Sequence, residues 1–365
     1  MRNWVMLAHW QRIGVIASLV AAAAWLAWCQ HAGLGAGTAA VGVVLVLLPQ
    51  AGVLALEFGL LAVWGRDRNA PRASAGQWLR AYVGEVWAFW QVFGWRQPFR
   101  ADHEADHLPD HLFDQAPDQA PDQAPDPARD PARDPAPDPA RDPVPDHQPA
   151  RSSTPGAGSR AGADGRTAVL FLHGYCCNRG LWAPWLRQLR ARGVPCQALT
   201  MEPVFGRIDD WVPAIEAAVA TLTRQTGRPP LLVAHSMGGL AVRAWLAAQP
   251  DAAQADARVQ RVVTIATPHH GTWMARFAHT HNARQMRRGH PWLATLAAAE
   301  STARRARFTC FYGHADNVVF PASTATLAGA DNRHLAGVAH VAMAFRPEVF
   351  DEVLRLLAQA ANERP

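Results

Sequence analysis

The first hundred residues contain the longest apolar stretches of the chain. Ile13 to Cys29 carries no charged residue and is just long enough to cross the hydrocarbon core of a bilayer, which requires roughly 17–25 residues. Val41 to Trp64 is a second apolar stretch, interrupted by Pro49 and Glu57. Proline is tolerated in spanning helices, whereas a buried carboxylate is costly there. We expect two transmembrane helices, with Glu57 near the headgroups or facing the first helix.

The distribution of arginine predicts how this pair is oriented. The loop between the two stretches, residues 30–40, contains no arginine. Arg2 and Arg12 precede the pair, and four arginines follow it between Arg66 and Arg80. Because basic residues are enriched on the cytoplasmic side, both ends of the pair and the rest of the chain are expected in the cytoplasm.

A third apolar segment, Trp78 to Trp95, is rich in aromatic residues but carries Arg80 and Glu85. This composition favours a helix lying in the membrane interface over a third span. If the segment did span the bilayer, the rest of the chain would lie on the other side. A cleaved signal peptide at the start of the chain is disfavoured, because no small-residue cleavage site follows Cys29 and a second apolar stretch does. A lipoprotein site at Cys29 is disfavoured by the bulky Trp28.

The middle region, residues 101–165, repeats Asp-Pro and Ala-Pro units, as in "DQAPDQAPDQAPDPARDPARDPAPDPARDPVPD". It has almost no large apolar residue and therefore cannot bury enough surface to offset its chain entropy. We expect a disordered, polyproline-like linker that separates a membrane anchor, residues 1–100, from a globular domain, residues 166–365.

The last region alternates short apolar runs with amphipathic segments, which predicts an α/β domain with a mostly parallel sheet. The expected helices are Leu181–Arg192, Asp209–Gln225, Met237–Ala248 and Pro347–Ala360. The expected strands are Thr167–Leu172, Cys196–Met201, Leu231–Ala234, Val259–Ala266, Arg307–Tyr312 and a short one at Leu335–Val338.

The stretch "LLVAHSMGGLAVRAW" reads as a strand, a serine and a helix. Ala234 and Gly238, two residues before and after Ser236, are small, as a tight strand-to-helix turn requires. This A-x-S-x-G pattern predicts a nucleophile elbow, which exposes the serine hydroxyl at the carboxyl edge of the sheet. A simple serine N-cap is the alternative interpretation.

A serine nucleophile needs a base, and the base needs an orienting acid. In this fold class the order is Ser, Asp, His, with the acid after a strand and the histidine in a late loop. Asp316 in "FTCFYGHADNVVFP" and His340 in "HLAGVAHVAM" fit these positions. The competing candidates are Asp251 and Asp331 for the acid, and His314 and His334 for the base.

A tetrahedral oxyanion also needs two backbone N–H donors. Met237, directly after the serine, supplies one at the start of a helix. The turn in "AVLFLHGYCCNRGLW" supplies the other, which we assign to Tyr175. His173 in this turn is expected to have a structural hydrogen-bonding role.

Composition narrows the function classes. The 365 residues have a net charge of +5, and all basic residues are arginine. These arginines form no dense run interleaved with aromatic residues, so an anionic membrane surface is a better partner than nucleic acid. The five cysteines show neither metal-ligand nor disulfide spacing, which suits small core residues in a reducing compartment. We expect neither a metal nor a cofactor.

Residues 166–365 resemble bacterial lipases and esterases of the α/β-hydrolase fold. The matching segments are "LHGY", "AHSMGGL", "TIATPHHGT", "GHADNVVFP" and "GVAH", in the order of that family. The resemblance implies that Ser236, Asp316 and His340 are the catalytic triad, with Tyr175 and Met237 as oxyanion donors. It gives no role in catalysis to His269 or His270, and no calcium site.

Residues 272–302 contain Trp273, Phe277, Met286 and Trp292 and are consistent with two interpretations. They form either a small helical cap with an apolar underside for an acyl chain or surface helices with ordinary packing. Together these features predict an inner-membrane serine hydrolase of carboxylic esters that faces the cytoplasm and acts on an acyl-ester or lipid substrate. Thioesterase or amidase activity would use the same residues. A membrane-tethered scaffold that has lost activity is the alternative from a different class.

Overall fold

The computed structural model describes residues 6–47, 49–68, 70–108 and 165–363. Within these ranges, six parallel strands form one sheet in the order β2-β1-β3-β4-β5-β6. The chain therefore reverses its direction of winding between β1 and β3, and the loops that leave these two strands open a crevice at the carboxyl edge. The strands are Val169–Leu172 (β1), Cys196–Ala198 (β2), Leu231–His235 (β3), Val262–Ile265 (β4), Phe308–Tyr312 (β5) and Asp331–His334 (β6).

Two groups of helices accompany this architecture. The N-terminal helices precede the sheet, and a π-helical turn, Trp90–Arg96, joins the last two of them: Met6–His31 (α1), Ala36–Leu47 (α2), Pro49–Trp64 (α3), Ala75–Phe89 (α4) and Gln97–Arg100 (α5). The helices that follow β1 are Ala183–Arg190 (α6), Val212–Thr226 (α7), Met237–Ala247 (α8), Ala252–Ala257 (α9), His281–Gln285 (α10), Pro291–Ala298 (α11), Thr302–Arg305 (α12), His340–Met343 (α13) and Pro347–Asn362 (α14).

Alternate side chains of each central strand enter two different apolar layers. Leu170 and Leu172 of β1 pack in the layer formed with α7 and α8. Val169 and Phe171 pack in the layer formed with α6 and α14. Both faces of the sheet are thus covered, which explains why its central strands read as continuous apolar runs rather than as alternating ones.

The last predicted strand was placed wrongly. The sequence indicated Leu335–Val338, whereas the strand at this edge is Asp331–His334, which pairs with β5 from Thr309 to Tyr312. Its residues are polar and partly exposed, as an edge strand permits, so they give no apolar signal. Leu335 and Val338 are buried in the layer below and lead directly into α13.

The second predicted transmembrane helix is not a single continuous helix. It comprises α2 and α3, which are inclined by 62°. Pro49 begins α3, as expected of a residue that lacks an N–H and is well tolerated in a first helical turn. Among the described helices, α1 alone is long and apolar enough to cross a membrane, and α2 with α3 adds a second span only if the bent pair crosses as one.

The predicted linker begins later than residue 101. His107 pairs with Cys196 of β2 through two backbone hydrogen bonds of 2.8 and 2.7 Å, which cover the open edge of the sheet. Asp106 accepts a hydrogen bond from Arg179 at 2.5 Å, and Glu104 from Arg187 at 3.0 Å. Charged side chains therefore fix residues 101–108 to the domain, and the remaining predicted linker, 109–164, lies outside the described residues.

A buried ion pair ties α8 to the segment before α12. Arg243 and Glu300, with side chains 1% and 2% exposed, form a two-point contact of 2.6 and 3.1 Å. The Arg243 Nη1 also donates to the carbonyl oxygen of His269 at 2.8 Å. Removing one member of such a pair leaves the other charge buried and unpaired.

We expect Arg243→Met to lower the free energy of unfolding of the full-length protein by about 3–5 kcal/mol. Denaturant titration in detergent measures this change. The control is Arg346→Met, which removes an exposed pair with Glu348 and should cost no more than about 1 kcal/mol. Equal destabilisation by the two variants would show that the Arg243 pair contributes nothing beyond a surface contact.

Candidate active site

Ser236 lies in a strained turn between β3 and α8. Its backbone has φ 54° and ψ −124°, and residues with a side chain rarely adopt a positive φ. The turn depends on Gly238, because a Cβ there would lie 2.7 Å from the carbonyl oxygens of Leu172 and His173. Such strain at a strand-to-helix turn holds the serine hydroxyl at the carboxyl edge of the sheet.

His340, the first residue of α13, lies beside this serine. Its Nε2 is 3.0 Å from Ser236 Oγ. Both residues are only 5% exposed, so their hydrogen bond is shielded from bulk water. Electrostatic interactions in such an environment are stronger than at the surface.

Asp316 binds the opposite edge of the imidazole. His340 Nδ1 lies 3.0 and 3.1 Å from the two carboxylate oxygens of Asp316, which follows β5 and is 1% exposed. Asp316 Oδ1 also accepts the backbone N–H groups of Val318 at 2.9 Å and Val319 at 2.8 Å. These amides satisfy the buried carboxylate and fix its direction.

The neighbours of His340 define its tautomer. A carboxylate accepts but does not donate, so Nδ1 carries the proton and Nε2 is free to accept from Ser236. Burial, the largest single effect, lowers the pKa of His340, but the carboxylates of Asp316, Glu85 and Glu57 together outweigh it. The net pKa of His340 lies above its ordinary value of 6.5.

His235, the residue before the serine, anchors the loop that carries His340. Its Nε2 donates to the carbonyl oxygen of His340 at 3.1 Å, and the two rings lie 4.8 Å apart. Burial and the nearby charge of His340 lower the pKa of His235 to about 3. His235 is therefore neutral and does not compete as a base. His235 lies within the serine motif, but the motif itself gives no indication of this role.

The competing acids and bases have other partners. Asp251 accepts from the first amides of α9, and Asp331 is paired with Arg333 on the surface. His314 and His334 bind each other, with 2.9 Å between ring nitrogens. The structure does not bring any of these four side chains to Ser236. Among the described residues, no group of three or more histidine, cysteine, aspartate or glutamate side chains is arranged to hold a metal ion.

The turn after β1 lies against the serine. A Cβ at Gly174 would be 2.8 Å from Ser236 Cβ, so only glycine permits this approach. His173 holds the turn, since Nδ1 donates to the carbonyl oxygen of Gly174 and Nε2 accepts from Met201 N–H, both at 2.9 Å. Burial lowers the pKa of His173 to about 4, which suits a structural role for the neutral ring. Tyr175 follows Gly174 directly.

The segment 272–302 reaches this turn from the other side. The Tyr175 and Thr280 hydroxyls are 3.2 Å apart. Asn282 and Trp292 donate to Val204 O and Asp209 Oδ1, each at 2.8 Å, so the segment also packs on the chain that follows β2. Its position agrees with a wall of the crevice, whereas Phe277, expected to be part of its apolar underside, is 56% exposed.

Two carboxylates from the N-terminal helices reach the loops of Asp316 and His340. Glu85 of α4 accepts backbone N–H groups of Val341 and Ala342, and Glu57 of α3 accepts from Asn317 Nδ2 at 2.6 Å. The apolar surroundings of both glutamates in the sequence predict positions at a membrane, and these contacts were not predicted. The only signal for these contacts in the sequence was one carboxylate in each of two largely apolar helices.

Comparison with known proteins identifies relatives of this architecture. A family model described as the alpha/beta hydrolase family matches residues 169–360. Similar solved structures include the mature lipase BlEst2 of Bacillus licheniformis, at 17% identity over 54% of this chain and 94% of that chain, with a TM-score of 0.46. Aspergillus fumigatus lipase B is 18% identical over 54% of this chain and 53% of its own, with a TM-score of 0.48. No match is found among the curated protein sequences.

The raised pKa of His340 has a measurable consequence for Ser236. Only a neutral His340 can accept the serine proton, so the reaction of Ser236 with a fluorophosphonate should slow as pH falls through the pKa of His340. We expect the midpoint of this acid limb above about 6.5. Asp316→Asn should move it to lower pH and slow the reaction by roughly 10⁴-fold.

Asp331→Asn, which alters a surface carboxylate outside the site, is the matched control and should leave both the rate and the midpoint unchanged. Histidine titrates between about pH 5 and about pH 8. A reaction rate of the unmodified protein that does not depend on pH across this range would contradict the assigned role of His340.

Proposed function

Since the chain belongs to the alpha/beta hydrolase family, we propose that it is a serine hydrolase that cleaves carboxylic esters beside a membrane. The observation that carries this proposal is the continuous hydrogen-bonded chain from Ser236 Oγ through His340 to Asp316, with 3.0 Å at each step. A nucleophile, a base and an orienting acid in this order are what acyl transfer requires.

The geometry supports the following steps. The hydroxyl oxygen of Ser236 attacks the ester carbonyl carbon while Nε2 of His340 accepts its proton. Asp316 stabilises the imidazolium, which then gives the proton to the leaving alcohol, and an acyl group remains on Ser236. Water, deprotonated by the same Nε2, attacks the acyl carbon and releases the carboxylic acid, and the proton returns to Ser236.

The oxyanion donors in this proposal are the backbone N–H groups of Met237 and Tyr175. Met237 begins α8, where the first amides have no partner inside the helix and the helix dipole is positive. Tyr175 follows Gly174, where an added Cβ would lie 2.8 Å from Ser236 Cβ. Amides on two sides of the nucleophile can therefore share the charge of the tetrahedral intermediate.

A membrane location is supported by the exposed face of α4. Leu79, Val83 and Trp87 recur every fourth residue and are 66%, 56% and 67% exposed, while Ala81, Glu85 and Ala88 on other sides are buried. An apolar stripe of this kind suits a helix in the bilayer interface. It would hold the active site close to acyl-ester or lipid substrates.

The arrangement of α1 to α3 supports an anchor rather than a removed signal sequence. Near the start of α1, Gln11 donates to Gln97 Oε1 and Arg12 to the carbonyl oxygen of Pro98, both in α5. At the end of α3, Trp64 stacks on Trp273. Both ends of the apolar hairpin therefore contact the rest of the protein. In this proposal the arginine distribution leaves both ends of the hairpin, and with them the catalytic domain, on the cytoplasmic side of the inner membrane. The face of α3 that carries Glu57 and Phe58 lies on the catalytic domain rather than in lipid.

The direct test of the activity is hydrolysis of p-nitrophenyl esters of graded acyl length by the full chain in detergent. We expect turnover that Ser236→Ala lowers by at least about 10³-fold, together with loss of fluorophosphonate labelling. Ser301→Ala, which removes a serine that caps α12, is the matched control and should retain both. Labelling that persists in Ser236→Ala would refute the proposed nucleophile, and its absence in the unmodified chain would favour a scaffold.

The test of topology is a pair of reporter fusions. A reporter that is active only in the cytoplasm should be active when fused after Pro365 and inactive when inserted in the loop at residues 30–40, because the flanking arginines retain both ends inside. The opposite pattern would mean that residues 78–95 cross the bilayer or that the hairpin is inverted.

A further inference from the structure

The buried face of α4 meets the first turn of α13, where His340 is located. Glu85 is 1% exposed, and its carboxylate accepts Val341 N–H at 2.8 and 3.0 Å through its two oxygens and Ala342 N–H at 2.9 Å. The contact joins residues separated by more than 250 positions in the chain. The backbone directly after His340 is thus held by a side chain from outside the sheet domain.

The first turn of α13 needs an external acceptor. Initial amides of a helix have no partner within it, and the N-cap residue, Ala339, has no side-chain acceptor. Glu85 supplies the missing acceptor. Burial raises the pKa of the Glu85 carboxyl to about 7, against the opposing effect of these two amides and of His340. Such a costly group is stabilised here mainly by the backbone that carries the catalytic base.

A second carboxylate makes a parallel contact with the Asp316 loop. Glu57 of α3 accepts from Asn317 Nδ2 at 2.6 Å, and Asn317 Oδ1 accepts the backbone N–H of His340 at 3.2 Å. Asn317 follows Asp316 and is fully buried. The Asn317 side chain therefore links Glu57 of α3 to the backbone amide of His340.

Apolar packing supports both polar contacts. Phe58 and Ala81, from α3 and α4, are buried in one cluster with Ala315 and Ala339, the residues that immediately precede Asp316 and His340. Each of the two catalytic loops is thus enclosed by an apolar contact on one side and a carboxylate contact on the other. Side chains held in this way lose little freedom when a substrate binds.

We propose that α3 and α4 are part of the active site, and that Glu85 is a positioning residue that fixes His340 between Ser236 and Asp316. This inference rests on the proposed hydrolase function. It assigns to Glu85 no contact with substrate. It assigns to the N-terminal helices a role in catalysis in addition to membrane attachment.

The titratable groups that face His340 come from four parts of the fold. Asp316 follows β5, Glu85 lies on α4, Glu57 lies on α3, and neutral His235 ends β3. The three carboxylates all favour the protonated imidazole. Above its own pKa of about 7, Glu85 is ionised, so replacing it by a neutral residue lowers the pKa of His340, an effect that loss of packing alone would not produce.

The test compares Glu85→Gln and Glu85→Ala with the unmodified full chain in detergent. Glutamine retains the size but loses the charge and one acceptor, so we expect kcat for ester hydrolysis to fall roughly 10- to 100-fold. KM should change little, and the acid limb of kcat should move to lower pH. Alanine should lower kcat further. If the alanine variant does not fold, the glutamine variant alone decides.

The matched control is Glu352→Gln, which neutralises another buried carboxylate, 3% exposed. Glu352 lies away from the site and pairs with Arg333 of β6 and Arg355 of α14. It should lower the thermal unfolding temperature without moving the acid limb or kcat. The inference is overturned if Glu85→Gln retains the kcat and the acid limb of the unmodified chain. It is also overturned if Glu352→Gln lowers kcat as much as Glu85→Gln does.

Failure of the function itself gives a different result. An unmodified chain that neither hydrolyses esters nor reacts with a fluorophosphonate at Ser236 refutes the proposed hydrolase. An unmodified chain that does both, with Glu85 variants that match it in rate and pH profile, refutes only the positioning role.

Discussion

The proposed chemistry of this protein depends on one imidazole ring that two partners hold from opposite edges. His340 must offer an unprotonated Nε2 to Ser236 while Nδ1–H donates to Asp316, and all three groups are buried. In such a site a shift of the ring by about 1 Å would weaken both hydrogen bonds and slow the reaction. The surrounding structure serves this constraint. β3 and α8 strain the serine turn, two amides fix the carboxylate, and His235 anchors the backbone of His340.

The need to hold His340 in place also explains why the N-terminal helices contact the loops of His340 and Asp316. One face of α4 carries the exposed stripe at Leu79, Val83 and Trp87, and the other carries Glu85 against α13. In the proposed arrangement, a helix with these two faces would join the membrane surface directly to the loop of His340. The distance between bilayer and active site would then depend on this helix rather than on the length of the linker.

Much of the catalytic domain could be predicted from local patterns, because parallel strands buried on both faces give apolar runs and the serine turn has a short signature. Asp316 and His340 were predicted from chain order, from their positions relative to the strands and from the family resemblance. The structure places His340 beside Ser236 and Asp316 beside His340. The edge strand Asp331–His334 was missed because an exposed edge imposes no apolar pattern. Glu85 could not have been found by such reasoning, since its partners are more than 250 residues away and its neighbours read as membrane-facing. The local sequence of a segment reveals its hydrophobic periodicity, whereas a contact between segments that are distant along the chain depends on tertiary packing.

The most direct test of the central claim is to trap the acyl-enzyme. Full-length protein is mixed with a p-nitrophenyl ester, quenched in acid and digested, and the acylated residue is mapped by mass spectrometry. We expect the acyl group on Ser236, and we expect it to be lost when His340 is replaced by alanine. An adduct on another residue, or an adduct on Ser236 that forms equally fast without His340, would contradict this account.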